Sequence, residues 1–289
     1  MIVWLASYPR SGNTLFRIIL NTVFKIPTYT GFMSDDDLAI DGVKQNITGH
    51  ENLPLPLQQA LEEKAPFFDD GSTRSMQLKS LLDKMDAEEK IYVIKTHSTN
   101  NEILNNSYRC ILLVRDGRDA AISMAWYVIN VHMTVKRAWR DLVSSSSKGS
   151  NRALLLFILV KRTWLRLNLI IGRKQSIFRQ ILAMYVANKD RWSKVSQSWA
   201  NRAKGKTALV YFDDLVKHPV ESVKQAMVEL EINISEVDNK VPTFSELKKI
   251  HPGFFRQGES GRWKSDFPKA ELAVFEGLNH HALNMFGFN

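Results

Sequence analysis

The chain has 289 residues, 44% of them hydrophobic and 24% charged, an ordinary globular composition long enough for one large core or two small domains. Its formal charge is +9 and its sequence pI about 9.5, which favours an anionic partner without choosing among nucleotide, nucleic acid, anionic lipid and acidic glycan. The single cysteine, Cys110, excludes an intrachain disulfide and fits a reducing compartment.

The opening "MIVWLASYPR" has no charged n-region, long apolar h-region or cleavage site, so a cytoplasmic protein is expected. Its apolar run "IVWLAS" (2–7) reads as a buried strand. It is followed by a Ser/Gly/Asn loop and the helical pattern "TLFRIILNTVF". Helical patterns recur at "PLPLQQALEEK" and "SMQLKSLLDKM", ahead of a second strand, "IYVIKTH" (91–97). The third strand, "CILLVRD" (110–116), precedes the helical "RDAAISMAWYVI", and the fourth, "TALVYF" (207–212), precedes "PVESVKQAMVELEI", with Pro219 at a helix start. Strands alternating with helices predict an α/β fold: three layers, a central parallel sheet flanked by helices. Ligands in such sheets bind at the carboxyl ends of the strands. Residues 128–205 are helical in pattern and basic, and read as an inserted helical lid within one domain spanning 1–289. The most apolar stretch, residues 153–172, is interrupted by Lys161, Arg162 and Arg166, which argues against a membrane span.

Four polar constellations follow the strands. After the first, Ser11, Gly12, Asn13 and Thr14 can aim backbone N–H groups and hydroxyls at one point. The helix start near Thr14 adds its positive end. This suits a phosphate, or else a plain capped turn; G-x-x-x-x-G-K-[ST] is absent, so it is not a Walker A loop. In "VRDGRDAAIS" (114–123), Arg115 ends a strand, Gly117 permits a turn, and Asp119 is the expected N-cap. Arg115 and Ser123 can share one phosphate, though a capped helix with a surface arginine reads the same way. In "IKTH" (94–97), Lys95 and His97 have the same side-chain parity and can face one cleft; His97 can take a proton at neutral pH, though a lone histidine more often has a structural role. Finally, "FFRQGESGRWKSDF" (254–267) combines Arg256, Arg262 and Lys264 in a stretch too Gly-rich for a helix, suited to a flap over a nucleotide or to a solvated loop.

Taken in this order, the four resemble the sulfotransferase family that uses 3′-phosphoadenosine 5′-phosphosulfate (PAPS), from Tyr8 to Phe267. "YPRSGNT" is similar to the 5′-phosphosulfate loop YPKSGTT, "VRDGRDAAIS" to the 3′-phosphate segment, "KTH" to the segment with the catalytic base, and "RQGESGRWK" to the late R-K-G-x-x-G-x-W-K loop. "YFDDLVKHP" (211–219) resembles the Y-E-D-L segment near adenine. The resemblance implies a P-loop NTPase-like fold and in-line sulfuryl transfer to a hydroxyl or amine, with PAPS as co-substrate, adenosine 3′,5′-bisphosphate (PAP) as product, and no metal. It implies that His97 is the base and that Lys95 and Arg10 stabilise developing charge. It assigns the 5′-phosphate to the N–H groups of Ser11, Gly12, Asn13 and Thr14, and the 3′-phosphate to Arg115, Ser123 and Arg256.

The chain departs from the family pattern at several of these positions. Arg10 replaces the loop lysine, and the two cations are not equivalent. Leu15 stands where many members stack a tryptophan on adenine, leaving that contact to Phe244. Phe212 replaces the tyrosine of Y-E-D-L, and Gln257 the lysine of the late loop, while Arg256 and Gly258 remain. Only seven residues precede Tyr8, from which a more open acceptor site is expected. The acceptor is then a small molecule, glycan or lipid, larger than a small phenol, and nucleic acid is not an expected partner. Residues 152–192 carry Lys161, Arg162, Arg166, Arg173, Lys174, Arg179, Lys189 and Arg191 among Phe157, Trp164 and Phe178. This region suits a solvated helical pair, an amphiphilic acceptor, a membrane surface or a second subunit.

Overall fold

The computed structural model describes residues 1–30, 50–51, 73–97, 99, 108–132, 174–187, 191–202, 205–238, 240–250, 255 and 258–288. Within these, contacts divide the chain into two compact units. One comprises Met1–Gly117, Arg191–Pro242 and His281–Asn289; the other comprises Arg118–Asp190 and Thr243–His280.

The first unit is built on a sheet of six strands: β1 (Ile2–Ser7), β2 (Thr28–Thr30), β3 (His50–Glu51), β4 (Tyr92–Thr96), β5 (Arg109–Val114) and β6 (Thr207–Tyr211). They lie in the order β3-β2-β4-β1-β5-β6, and every pairing is parallel. All six residues of β1 are buried, because helices cover both faces of a parallel sheet and its strands need no polar alternation. Val3 and Leu5 point to the face covered by α1 (Asn13–Phe24) and α7 (Pro219–Glu229), whose Phe16, Ile19, Leu20, Val23, Val223, Ala226 and Met227 complete one apolar cluster with Val93, Ile111, Leu113 and Val210. On the opposite face Trp4 meets Trp199 of α5 (Arg191–Ala200), ring centroids 6.3 Å apart. That helix belongs to the region read from sequence as an insertion, yet it forms part of the cover of the sheet. Among the described residues this unit also holds the helix α2 (Thr73–Ala87) and the short α6 (Phe212–Lys217).

The second unit holds α3 (Gly117–Tyr127), which runs on into a π-helical turn at Val128–His132, and α4 (Lys174–Ala187), α8 (Phe244–Ile250), α9 (Trp263–Asp266) and most of α10 (Lys269–Met285). Trp126 of α3 stacks on Phe178 of α4 at 4.7 Å. Phe267 and Phe275 pack at 5.9 Å.

The four strands expected from apolar runs are all present; β2 and β3, with three and two residues, are too short to leave a periodic signal. The helical pattern at 54–64 and the basic stretch at 152–173 lie outside the described residues. Among those described, no helix is long and apolar enough to cross a membrane.

Cys110, in the middle of β5, is fully buried, and burial pushes its thiol up to about 12, against a smaller opposing effect of Arg202. Thiol reagents attack the thiolate. The native protein at pH 8 is therefore expected to resist labelling by a chromogenic disulfide, and the guanidinium-unfolded chain to take up one equivalent. Rapid labelling of the native protein would contradict the burial of β5.

Candidate active site

The order of the sheet decides what meets at its carboxyl end. β1 is central; the chain leaves it toward β2 on one side and returns later to β5 and β6 on the other. This reversal is the switch point at which ligands bind open α/β sheets. The neighbours of β1 are β4 and β5. The loop after β1, Lys95 near the end of β4 with His97 just beyond it, and Arg115 after β5 are therefore brought to one edge although they are distant in sequence.

The loop after β1 is sharply turned. Arg10 and Gly12 both have left-handed backbone, with φ of 73° and 99°. For Arg10 this carries a steric cost of roughly 1–2 kcal/mol, so the surroundings must hold it. The Nη1 of Arg115 donates to the Arg10 carbonyl at 3.2 Å, and the Ser11 N–H bonds back to the carbonyl of Tyr8 at 3.3 Å. Gly12 is fixed by space as well as by φ: a Cβ there would lie 3.0 Å from Phe212 Cδ2 and 3.1 Å from Leu215 Cδ2. Phe212, the first residue of α6, is thus the floor of the loop, and the Arg115 guanidinium lies over its ring at 4.1 Å.

Gly12 is also the N-cap of α1. No side chain caps the helix there, and no acidic residue occupies its first turn, so its positive end faces the loop uncompensated. Within the loop the Ser11 hydroxyl is buried and has no hydrogen-bond partner. An orphaned buried hydroxyl beside an uncapped helix start is what an anion-binding loop needs before its ligand arrives. The residues present fit a phosphate group.

Register explains His97. Ala6 pairs with Thr96, so the next residues along, Ser7 and His97, are neighbours. His97 Nδ1 lies 2.8 Å from the Ser7 carbonyl oxygen and 3.2 Å from the Ser7 hydroxyl. A carbonyl oxygen only accepts, so Nδ1 carries a proton, and in the neutral ring Nε2 carries the lone pair. Asn13 Nδ2 donates to the same Ser7 hydroxyl at 3.1 Å and to the Leu5 carbonyl at 3.3 Å. The first residue of α1 thereby supports the residue that orients the imidazole. Lys95 and His97 are both half-buried, with Thr96 between them buried, as their shared parity predicts.

Other expected positions fall as follows. Thr14 lies in the first turn of α1, and Leu15 packs on the core cluster. Ser123 is half-buried on α3, and Phe244 opens α8. Arg256 and Gln257 lie outside the described residues; Gly258 has a φ of 67°.

Asp119 is not the N-cap of α3. It sits inside the first turn, and its carboxylate accepts from the N–H groups of Gly261 at 2.6 Å and Trp263 at 3.0 Å. The late segment also contains one helical turn, α9, which its two glycines had argued against. Ser7, Arg118 and Asp119 were not singled out as functional from sequence. Only the register that sets Ser7 beside His97 and the fold that returns Gly261 to α3 reveal them.

The parallel sheet thus carries, at its switch point, a sharply turned loop with an uncapped helix start, an imidazole hydrogen-bonded to the neighbouring strand and an arginine at the next strand end. The family model described as "Sulfotransferase domain" matches residues 2–287, and the chain belongs to the sulfotransferase family, the enzymes whose sulfuryl donor is PAPS. Similar solved structures include mouse sulfotransferase SULT7A1 complexed with PAP, at 16% identity, covering 98% of this chain and 84% of that one with a TM-score of 0.46. A second is retinol dehydratase in complex with androsterone and inactive cofactor PAP, at 18% identity, covering 98% and 80% with a TM-score of 0.45. No curated protein sequence matches the chain.

Proposed function

We propose that this sulfotransferase passes the sulfuryl group of PAPS to a hydroxyl or amine with His97 as general base. A lone pair of the acceptor atom forms the new bond to sulfur while the bond from sulfur to the bridging phosphate oxygen breaks. That oxygen keeps the electron pair and leaves on PAP. The acceptor's proton goes to Nε2 of His97. The observation that carries this reading is the bond from Nδ1 to the Ser7 carbonyl, which puts the imidazole in the tautomer a base requires. When the proton arrives, the same carbonyl and the Ser7 hydroxyl accept from the imidazolium and favour it.

Lys95 and Arg10 stabilise charge on the transferring group and the leaving phosphate, and the N–H groups from Ser11 to Thr14, with the Ser11 hydroxyl, take the 5′-phosphate. Arg115, Ser123 and Arg256 take the 3′-phosphate, Gln257 and Gly258 line the late loop, and Phe244 takes the adenine in place of an aromatic at Leu15. Most of the catalytic effect is positioning and fixed charge, as in phosphoryl transfer. The acceptor is a larger or amphiphilic small molecule, glycan or lipid.

The test is a calorimetric titration with PAP, with adenosine 5′-monophosphate and ATP as controls, all in EDTA. Selective binding of the bisphosphate without metal is the expected result. Absence of binding would overturn the donor site and leave a non-catalytic anion-binding protein.

A further inference from the structure

The motif "GRDAAIS" contains two charged residues with no place in the donor site as described so far. Arg118 and Asp119 are buried, at 4% and 3% exposure, and a buried charge requires a specific partner. Both find it in the same stretch of chain, more than 140 residues away in sequence. Asp119 accepts the N–H groups of Gly261 and Trp263, one on each carboxylate oxygen. Arg118 stacks its guanidinium on the Trp263 ring, 3.6 Å from the centroid, and is itself held by Glu276 of α10 at 2.8 Å. Two charge-assisted bonds to backbone and one cation–π contact thus fasten three consecutive residues to one helical turn.

The glycine in this stretch serves the arrangement. A Cβ at Gly261 would meet nothing within 4 Å, but φ there is 82°. It is backbone direction, not space, that excludes a side chain. The left-handed turn aims the N–H groups of Gly261 and Trp263 at a single carboxylate. Asp119 and Ser123 are four residues apart on α3 and share a face, so the fastened loop lies one turn from the serine assigned to the 3′-phosphate.

We propose that Arg118 and Asp119 are positioning residues for the donor: they fix the Gly261–Trp263 stretch of the late loop one turn from Ser123 so that this stretch serves the 3′-phosphate site, without touching the nucleotide themselves. This inference rests on the proposed function of the site. Because Arg118 is committed to Trp263 and Glu276, it is not one of the phosphate ligands, although it neighbours the 3′-phosphate motif.

The experiment compares PAP with adenosine 5′-monophosphate, which lacks the 3′-phosphate, on wild-type protein and on Asp119→Asn. The asparagine keeps the size but turns an NH₂ group toward one of the two N–H donors. PAP affinity is expected to fall about tenfold or more, the effect of losing a hydrogen bond to a charged group, while affinity for the monophosphate stays within about twofold of wild type. A mere loss of stability would weaken both ligands together. Glu276→Gln, at a half-exposed position, removes the charge but keeps a hydrogen-bond acceptor for Arg118, and should shift the same ratio in the same direction by less. An unchanged ratio in both variants would overturn the proposal. A wild-type protein that binds the two nucleotides equally would instead overturn the donor-site reading beneath it.

Discussion

Replacing His97 by alanine is expected to lower kcat by about 10²- to 10⁴-fold, the usual contribution of a positioned general base, and to leave PAP affinity within about twofold of wild type. The two halves of the prediction come from different elements. The loop proposed to hold the donor belongs to β1 and α1, whereas His97 follows β4 and is hydrogen-bonded to Ser7. Removing the imidazole leaves the Asn13–Ser7 hydrogen bond in place, so the loop keeps its support. Initial rates with saturating PAPS, alongside calorimetry with PAP, separate the two. Unchanged turnover would remove His97 as the base. Lost turnover with lost nucleotide binding would mean that the imidazole supports the loop instead of the chemistry.

Arg115→Ala should be the most damaging change to nucleotide binding, and its effect should reach beyond the 3′-phosphate. Arg115 is the proposed 3′-phosphate partner, so its loss leaves that charge without a bidentate donor. It also holds the carbonyl of Arg10 and lies over Phe212, and those contacts keep Arg10 in left-handed backbone. Alanine removes all of them, and both PAP and adenosine 5′-monophosphate are expected to weaken, PAP by about 100-fold or more. Asp119→Asn should weaken only the bisphosphate. Arg115→Lys restores a charge but not the fork, and is expected to recover only part of the affinity. Equal affinity in Arg115→Ala and wild type would place the 3′-phosphate elsewhere.

The frame was legible because its strands are continuous apolar runs between helical periods. Val3, Ile111 and Val210 announce themselves by composition. The loop after β1 was legible for a different reason: Gly12, Ser11 and Asn13 are turn and capping residues placed directly after a strand. Less legible was anything that depends on register or on a returning chain. Ser7 reads as one more strand residue until Ala6 is known to pair with Thr96. Asp119 reads as an N-cap, the commonest use of an aspartate near a helix start, until Gly261 and Trp263 are found at its carboxylate. Phe212 reads as a lost hydroxyl contact, and its use as the floor beneath Gly12 depends on α6 starting at that residue.

The pairing of β1 with β4 has a consequence for how activity is acquired. Ser7 and His97 are 90 residues apart in sequence, and parallel strands must be joined by a long excursion of chain before they can meet. The imidazole has no oriented neighbour until that excursion is complete. A register error of one residue would turn Lys95 and His97 to the other face of the sheet. The loop after β1 is local in sequence, but the imidazole proposed as base is oriented only once β4 has paired with β1. In refolding, recovered turnover is therefore expected to require the β1–β4 pairing, and a chain that lacks it has no oriented imidazole for the proposed role of base.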